Sequence, residues 1–156
     1  MKKILILLTA ATAFSCSDKQ AQQQVAVNNQ PATVQQESSS SNTFDAKVIA
    51  KIQTFYSKHI FGNEFANDSV IAKYCTKSLA QELSKAYDNE FSDGGGYAVW
   101  KFRSNAQDGK DIHEIEKIEP LGNGKYIVHY NDMGNKGAHT ITIVQQDGEI
   151  FFDKLD

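Results

Sequence analysis

At 156 residues, with 40% hydrophobic and 22% charged side chains, the chain has room for one domain plus appendages. Its 16 Lys+Arg against 19 Asp+Glu give a formal charge of −3 and a pI near 5.8. That balance excludes a nucleic-acid surface, because phosphate binding needs a clustered basic face.

Lys2 and Lys3 open the chain and an apolar stretch from Ile4 through Ala13 follows, the layout of an export signal. Such a stretch is too short to span a bilayer, for which a helix needs about 20 residues. Two cleavage signals overlap. Ala11-Thr12-Ala13 suits ordinary signal peptidase and would leave Phe14 first. Ala13-Phe14-Ser15-Cys16 resembles the lipobox of bacterial lipoproteins, which implies removal of residues 1–15 and lipidation of Cys16.

Residues 16–43 read as a disordered tether. The 27 residues after Cys16 include seven Gln and no aromatic side chain, so they bury too little apolar surface to offset their conformational entropy. A coil of that length reaches roughly 30 Å, enough to separate a folded domain from a lipid, and this favours the lipidated form. The expected location is the bacterial cell envelope, periplasmic or surface-exposed, with the membrane as partner through the lipid. Cys75 then lacks an intramolecular partner and reads as a buried thiol at a helix end.

Residues 44–156 form the expected globular domain. Their 13 Lys+Arg and 17 Asp+Glu are interspersed, a net of −4 that describes a solvated surface. Asn42 or Thr43 caps a first helix whose apolar stripe runs Phe44, Val48, Ile52, Phe55 to His59, and Gly62 stops it. A short second helix runs from Asn67 or Asp68 to Tyr74. A third starts near Thr76 or Ser78, with Ser78 and Gln81 as its capping box, and fades by Phe91. Three glycines, Gly94 to Gly96, end helix formation.

Strands follow. "YAVWKFRS" alternates, with Ala98, Trp100 and Phe102 on one side. "IHEIEKIEPL" holds a strand, "GNG" turns the chain into "KYIVHY", and "NDMGNKG" is a hairpin loop. "AHTITIVQQ", the turn "DG" at 147 and "EIFFDKL" complete the sheet. Helices first and a meander afterward is an α+β plan, with N-terminal helices covering one face of a curved antiparallel sheet.

With this order in place, "IQTFYSKHI", "NAQDGKDI" and "YIVHY…HTITIVQQDGEIFFDKLD" resemble the cystatin-like or nuclear-transport-factor-2-like fold, and more narrowly an uncharacterised family of small bacterial lipoproteins. The resemblance covers about residues 44–156. It implies a conical pocket between helices and sheet, and a scaffold shared by isomerases, dehydratases, immunity proteins and ligand-binding modules. Fold alone does not choose among these.

Phosphate-loop, dinucleotide, zinc-protease, nucleophile-elbow and C-x-x-C motifs are all missing from the sequence, and no cofactor is expected. The densest polar cluster is Arg103, Gln107 and Asp108, with Tyr97 and Trp100 just upstream. Arg103 and Asp108 would orient a polar ligand, and Trp100 would wall it. The plainer alternative makes Trp100 and Phe102 core, Arg103 a surface pair and Asp108-Gly109 a turn. Tyr56, Tyr130 and His129 are further candidates for the same pocket.

If the hairpin centres on Gly134, His129 and His139 oppose each other and could share a divalent metal, with Asp132 as third ligand. A one-residue slip separates them, and an ordinary polar cross-strand pair is the competing reading. A general base would be Asp108 or His129. Three functions are therefore carried forward. The first is a lipid-anchored, non-enzymatic module binding a small molecule or an envelope protein. The others are an isomerase or dehydratase-like enzyme, and an immunity or inhibitor protein acting by protein contact.

Overall fold

The first helix, α1 (Gln35–Phe55), is amphipathic where its side chains meet the rest of the fold. Val48, Ile52 and Phe55, spaced four and three apart, are all buried. The computed structural model describes residues 35–91 and 94–156, and side chains from residue 41. The expected leader, Cys16 and the tether as far as residue 34 lie outside the described residues. Helix α1 begins at Gln35, ahead of the expected caps Asn42 and Thr43, so the helical hydrogen-bond ladder extends through the polar serine run.

At its other end α1 passes into a π-helical turn, Tyr56–Ile60, closed by the Phe61 N–H donating to the Tyr56 carbonyl at 2.8 Å. The wider turn keeps Tyr56 and Ile60 on the buried face. Gly62 stops it as expected, for a steric reason: a Cβ there would collide with the Ser57 and Lys58 carbonyl oxygens.

Helix α2 (Asp68–Tyr74) is capped by Asn67, whose side-chain oxygen accepts from the Val70 N–H at 3.1 Å. Helix α3 (Lys77–Glu90) is capped by Thr76, which accepts from the Leu79 N–H at 3.3 Å; the expected Ser78–Gln81 capping box is not used. The expected strand over 97–104 is instead a 3-10 turn, Val99–Phe102. Its backbone is tied to α3 and to itself: the Ala98 N–H donates to the Leu83 carbonyl at 3.0 Å and the Lys101 N–H to the Ala98 carbonyl at 3.1 Å. Ala98 and Phe102 are fully buried while Trp100 is half-buried, so the inward rhythm is a turn's and not a strand's.

Four antiparallel strands follow in the order β1-β2-β3-β4: β1 (His113–Gly122), β2 (Lys125–Asp132), β3 (Asn135–Gln146) and β4 (Glu149–Leu155). Helices on one side of this meander make the fold α+β. Register shifts interrupt β1 near Glu116 and Leu121 and the β3–β4 pair at Thr142–Ile143, where bulges bend the strands. Each hairpin closes with two residues of positive φ: Asn123-Gly124, Met133-Gly134 and Asp147-Gly148. Those are the angles of type I′ turns, whose twist matches that of the strands.

The middle turn is shorter than the expected 131–137 loop, and Met133 sits at φ 56°. A left-handed backbone costs an L-residue with no local side-chain bond about 1–2 kcal/mol. Asn tolerates that conformation best, so Met133→Asn should stabilise the protein by about 1 kcal/mol. A urea melt reads the result; an unchanged or lowered midpoint would contradict it.

The core lies between the helices and the row Tyr126, Val128, Ile141, Ile143 and Phe152. Phe55 is its centre, with ring centroids 4.9 Å from Tyr74, 5.1 Å from Phe102 and 5.3 Å from Phe152. The β4 edge is partly occupied. The Thr76 N–H donates to the Phe152 carbonyl at 2.8 Å, and Lys51 Nζ donates to the Ile150 carbonyl and, at 2.9 Å, to the Lys73 carbonyl. Cys75 sits in this joint, buried, and burial pushes its thiol up to about 12, which leaves it protonated and unreactive near neutral pH.

Candidate functional site

Strand β2 presents Tyr126, Val128, Tyr130 and Asp132 to the helices by simple alternation. Three of these are aromatic or aliphatic; the fourth is a carboxylate with 0% exposure. Burying a charge is costly unless it is paired and hydrogen-bonded, and the chain supplies the partners from two directions. Once Phe102 has filled the core, the backbone becomes extended at Arg103, bringing Arg103 and Ser104 over Asp132. His113, first residue of β1, stands directly opposite Asp132 in the ladder.

The Asp132 carboxylate therefore receives a fork from Arg103, Nε to Oδ2 at 2.9 Å and Nη2 to Oδ1 at 2.8 Å. Ser104 adds its backbone N–H at 3.1 Å and its hydroxyl at 2.7 Å, both to Oδ2. His113 Nδ1 lies 2.7 Å from Oδ1 and is assigned as a donor, since an ionised carboxylate only accepts. Burial alone would raise the Asp132 carboxyl. The bonds from Arg103, Ser104 and His113, together with the Arg103 charge, outweigh it and hold the group below its ordinary value. The Phe61 ring lies 5.9 Å from the Arg103 guanidinium carbon and 6.0 Å from the His113 ring.

Beside this cluster an open cleft of about 680 Å³ is lined by Phe91, Trp100, Arg103, Asn105, Gln107 and Met133, with Glu90 and Ser104 also on its wall. Trp100 is held by Tyr87 and Phe91, at ring separations of 5.8 and 5.6 Å. The 103–112 segment is strapped to the β2–β3 turn: the Lys110 N–H donates to the Met133 carbonyl at 2.9 Å, and the Met133 N–H to the Ile112 carbonyl at 2.6 Å. The cleft thus has an aromatic wall, amide groups and a guanidinium fixed from behind.

Of the residues singled out from sequence, Trp100, Arg103 and Gln107 share this cleft. Asp108 is exposed in the loop and does not line it. Tyr97 is turned toward α2, its hydroxyl donating to Asp68 at 3.1 Å. Tyr56 is core; its buried hydroxyl has no hydrogen-bond partner among the described residues, and burial, then Tyr130, pushes its ionisation far up.

His129 and His139 do not meet. The two-residue turn pairs Val128 with His139 and His129 with Ala138, so the histidines lie on opposite faces of the sheet. His129 Nε2 is 3.3 Å from Glu119 on the outer face. His139 stacks on Tyr130 with ring centroids 5.2 Å apart. Asp132 is already spent on Arg103, Ser104 and His113, and among the described residues no group of three His, Cys, Asp or Glu is placed to hold a metal ion. Neither Asp108, exposed in its loop, nor His129, facing Glu119, lines either described cleft.

The cluster at Asp132 escaped the sequence reading because its members are separated by up to 29 positions. Neither His113 nor Ser104 carries a signal of its own in the sequence. The available signal was the strict alternation of β2, which places Asp132 on the apolar face and demands a cation for it.

No family model matches the chain, and no curated protein does. Among solved structures it is similar to the crystal structure of a protein of unknown function from Bacteroides thetaiotaomicron VPI-5482. That likeness has a TM-score of 0.60 and 20% sequence identity, and it covers 79% of this chain and 98% of that one. At this identity it bears on the fold alone.

Proposed function

We propose that the domain is a non-enzymatic binding module of the bacterial cell envelope, carried on a lipid at Cys16 and taking a small polar ligand in the Trp100 cleft. The observation that carries the ligand reading is the cleft's composition. Trp100 and Phe91 offer flat apolar surface beside Asn105, Gln107 and a guanidinium held by a buried carboxylate. The envelope reading rests on the export-like leader, the Cys16 lipobox and the polar segment behind it. The 46% exposure of Phe91 favours, as a second reading, a protein partner that seats an apolar side chain at the same place, as an immunity or inhibitor protein would.

Trp100 is the chain's single tryptophan, so intrinsic emission reports directly on this cleft. Screening the full chain against small polar aromatics should find compounds that shift Trp100 emission and raise the melting temperature together. Ligand at a hundred times its dissociation constant stabilises by about 2.7 kcal/mol. Trp100→Leu should abolish the stabilisation. A screen in which no compound moves either signal would overturn the small-molecule reading. For location, Cys16→Ser should move the protein from the membrane to the soluble fraction; unchanged partitioning would overturn the anchor.

A further inference from the structure

A second cleft, of about 300 Å³, adjoins the first, and Arg103, Ser104 and Asn105 line both. Its remaining walls are Lys101, Tyr130 and His139. The two halves differ in character. Phe91, Trp100 and Glu90 line only the first cleft, and Lys101, His139 and Tyr130 only the second.

Arg103 is the hinge between them. Asp132 uses its Nε and Nη2, while His113 Nδ1, itself donating to Asp132, lies 3.5 Å from Nη2 as a neighbour and not as its acceptor. Nη1 has no hydrogen-bond partner among the described residues. A guanidinium already oriented by a buried carboxylate loses little further freedom when Nη1 meets an acceptor, and its planar donor edge suits carboxylate and phosphate oxygens. The anion would sit on the Lys101 and His139 side, away from Glu90.

We propose that the joined clefts bind a planar aromatic compound carrying a carboxylate or phosphate, its ring against Trp100 and Phe91 and its anion on Arg103. This rests on the binding-module reading and names the ligand class for that site. The local charges are nearly balanced, because Arg103 pairs with Asp132 and Lys101 with Glu82 at 2.7 Å. Recognition therefore comes from short, directed N–H donors, and affinity changes less than about three-fold between 50 and 300 mM salt.

Calorimetric titration of the full chain with 2-naphthoate and its neutral counterpart 2-naphthamide tests this without any substitution. The acid should bind about ten-fold or more tightly than the amide, the range expected for one charged hydrogen-bonding group. Phenyl phosphate should likewise bind at least ten-fold more tightly than inorganic phosphate, which separates a ring-bearing ligand from a bare anion. Arg103→Lys, which keeps the charge facing Asp132 but removes the planar edge, should bring the acid-to-amide ratio toward one.

Equal binding of acid and amide would overturn the anion preference while leaving the cleft as a binding site. Binding of neither, alongside hits elsewhere in the aromatic screen, would overturn the ligand class only. No binding by any compound would overturn both readings.

Discussion

Asp132→Ala is expected to destabilise the protein by about 3–5 kcal/mol, measured by urea unfolding. Removing one member of a buried ion pair leaves the other uncompensated, and here Arg103, Ser104 and His113 all lose their acceptor at once. Asp132→Asn should recover only part of this, because an amide cannot accept the Arg103 fork on two oxygens. Replacing both partners, Arg103→Met with Asp132→Leu, should cost much less than Asp132→Ala alone, since no charge is then left stranded. A loss below about 1 kcal/mol for Asp132→Ala would show that the pair is not energetically buried.

The same carboxyl gives a pH signature. Its folded-state value lies below the ordinary one near 3.9. Its stabilisation is therefore fully present above about pH 4 and is lost as the pH falls through the lowered folded value. Wild type should show an acid-side decline in stability in that window, and Asp132→Asn should flatten part of it.

The second large effect is expected at Phe55. Its ring is fully buried and meets rings from α2, the 3-10 turn and β4, so one side chain joins elements that are far apart in the chain. Phe55→Ala should cost about 3–5 kcal/mol through lost burial and the cavity left behind, with more on top from three edge or tilted aromatic contacts. Phe55→Leu, which keeps most of the volume, should cost clearly less. Equal losses for the two substitutions would mean that the volume kept by Leu contributes nothing and that the ring contacts carry the whole effect.

The fold is legible in the sequence where a local pattern carries its own explanation. The 48-52-55 spacing makes a helical face whatever surrounds it. Asn123-Gly124 and Asp147-Gly148 are good type I′ pairs, and the strands on either side of them fall where expected. The middle hairpin went astray on a single residue. Met133 does not advertise a positive φ, so the sequence predicts a loop centred on Gly134. That half-residue displacement was enough to place His129 and His139 on one face, when the structure puts them on two. "YAVWKFRS" failed for a related reason: inward residues every second position fit a strand, but the backbone finds partners in α3 and within its own turn, not in a neighbouring strand.

By itself, then, the sequence determined the α+β order, the starts of α2 and α3 within a residue or two, two of the three turns, and the buried stripe of α1. These follow from short-range sterics and from the period of the apolar pattern. It also pointed to Trp100, Arg103 and Gln107, which do share a cleft. Only the tertiary structure decided that Arg103, His113 and Asp132 form one unit and that Asp108 and His129 stand outside it. A buried carboxylate selects its partners by distance in space, and residues brought together by three separate elements carry no shared spacing along the chain.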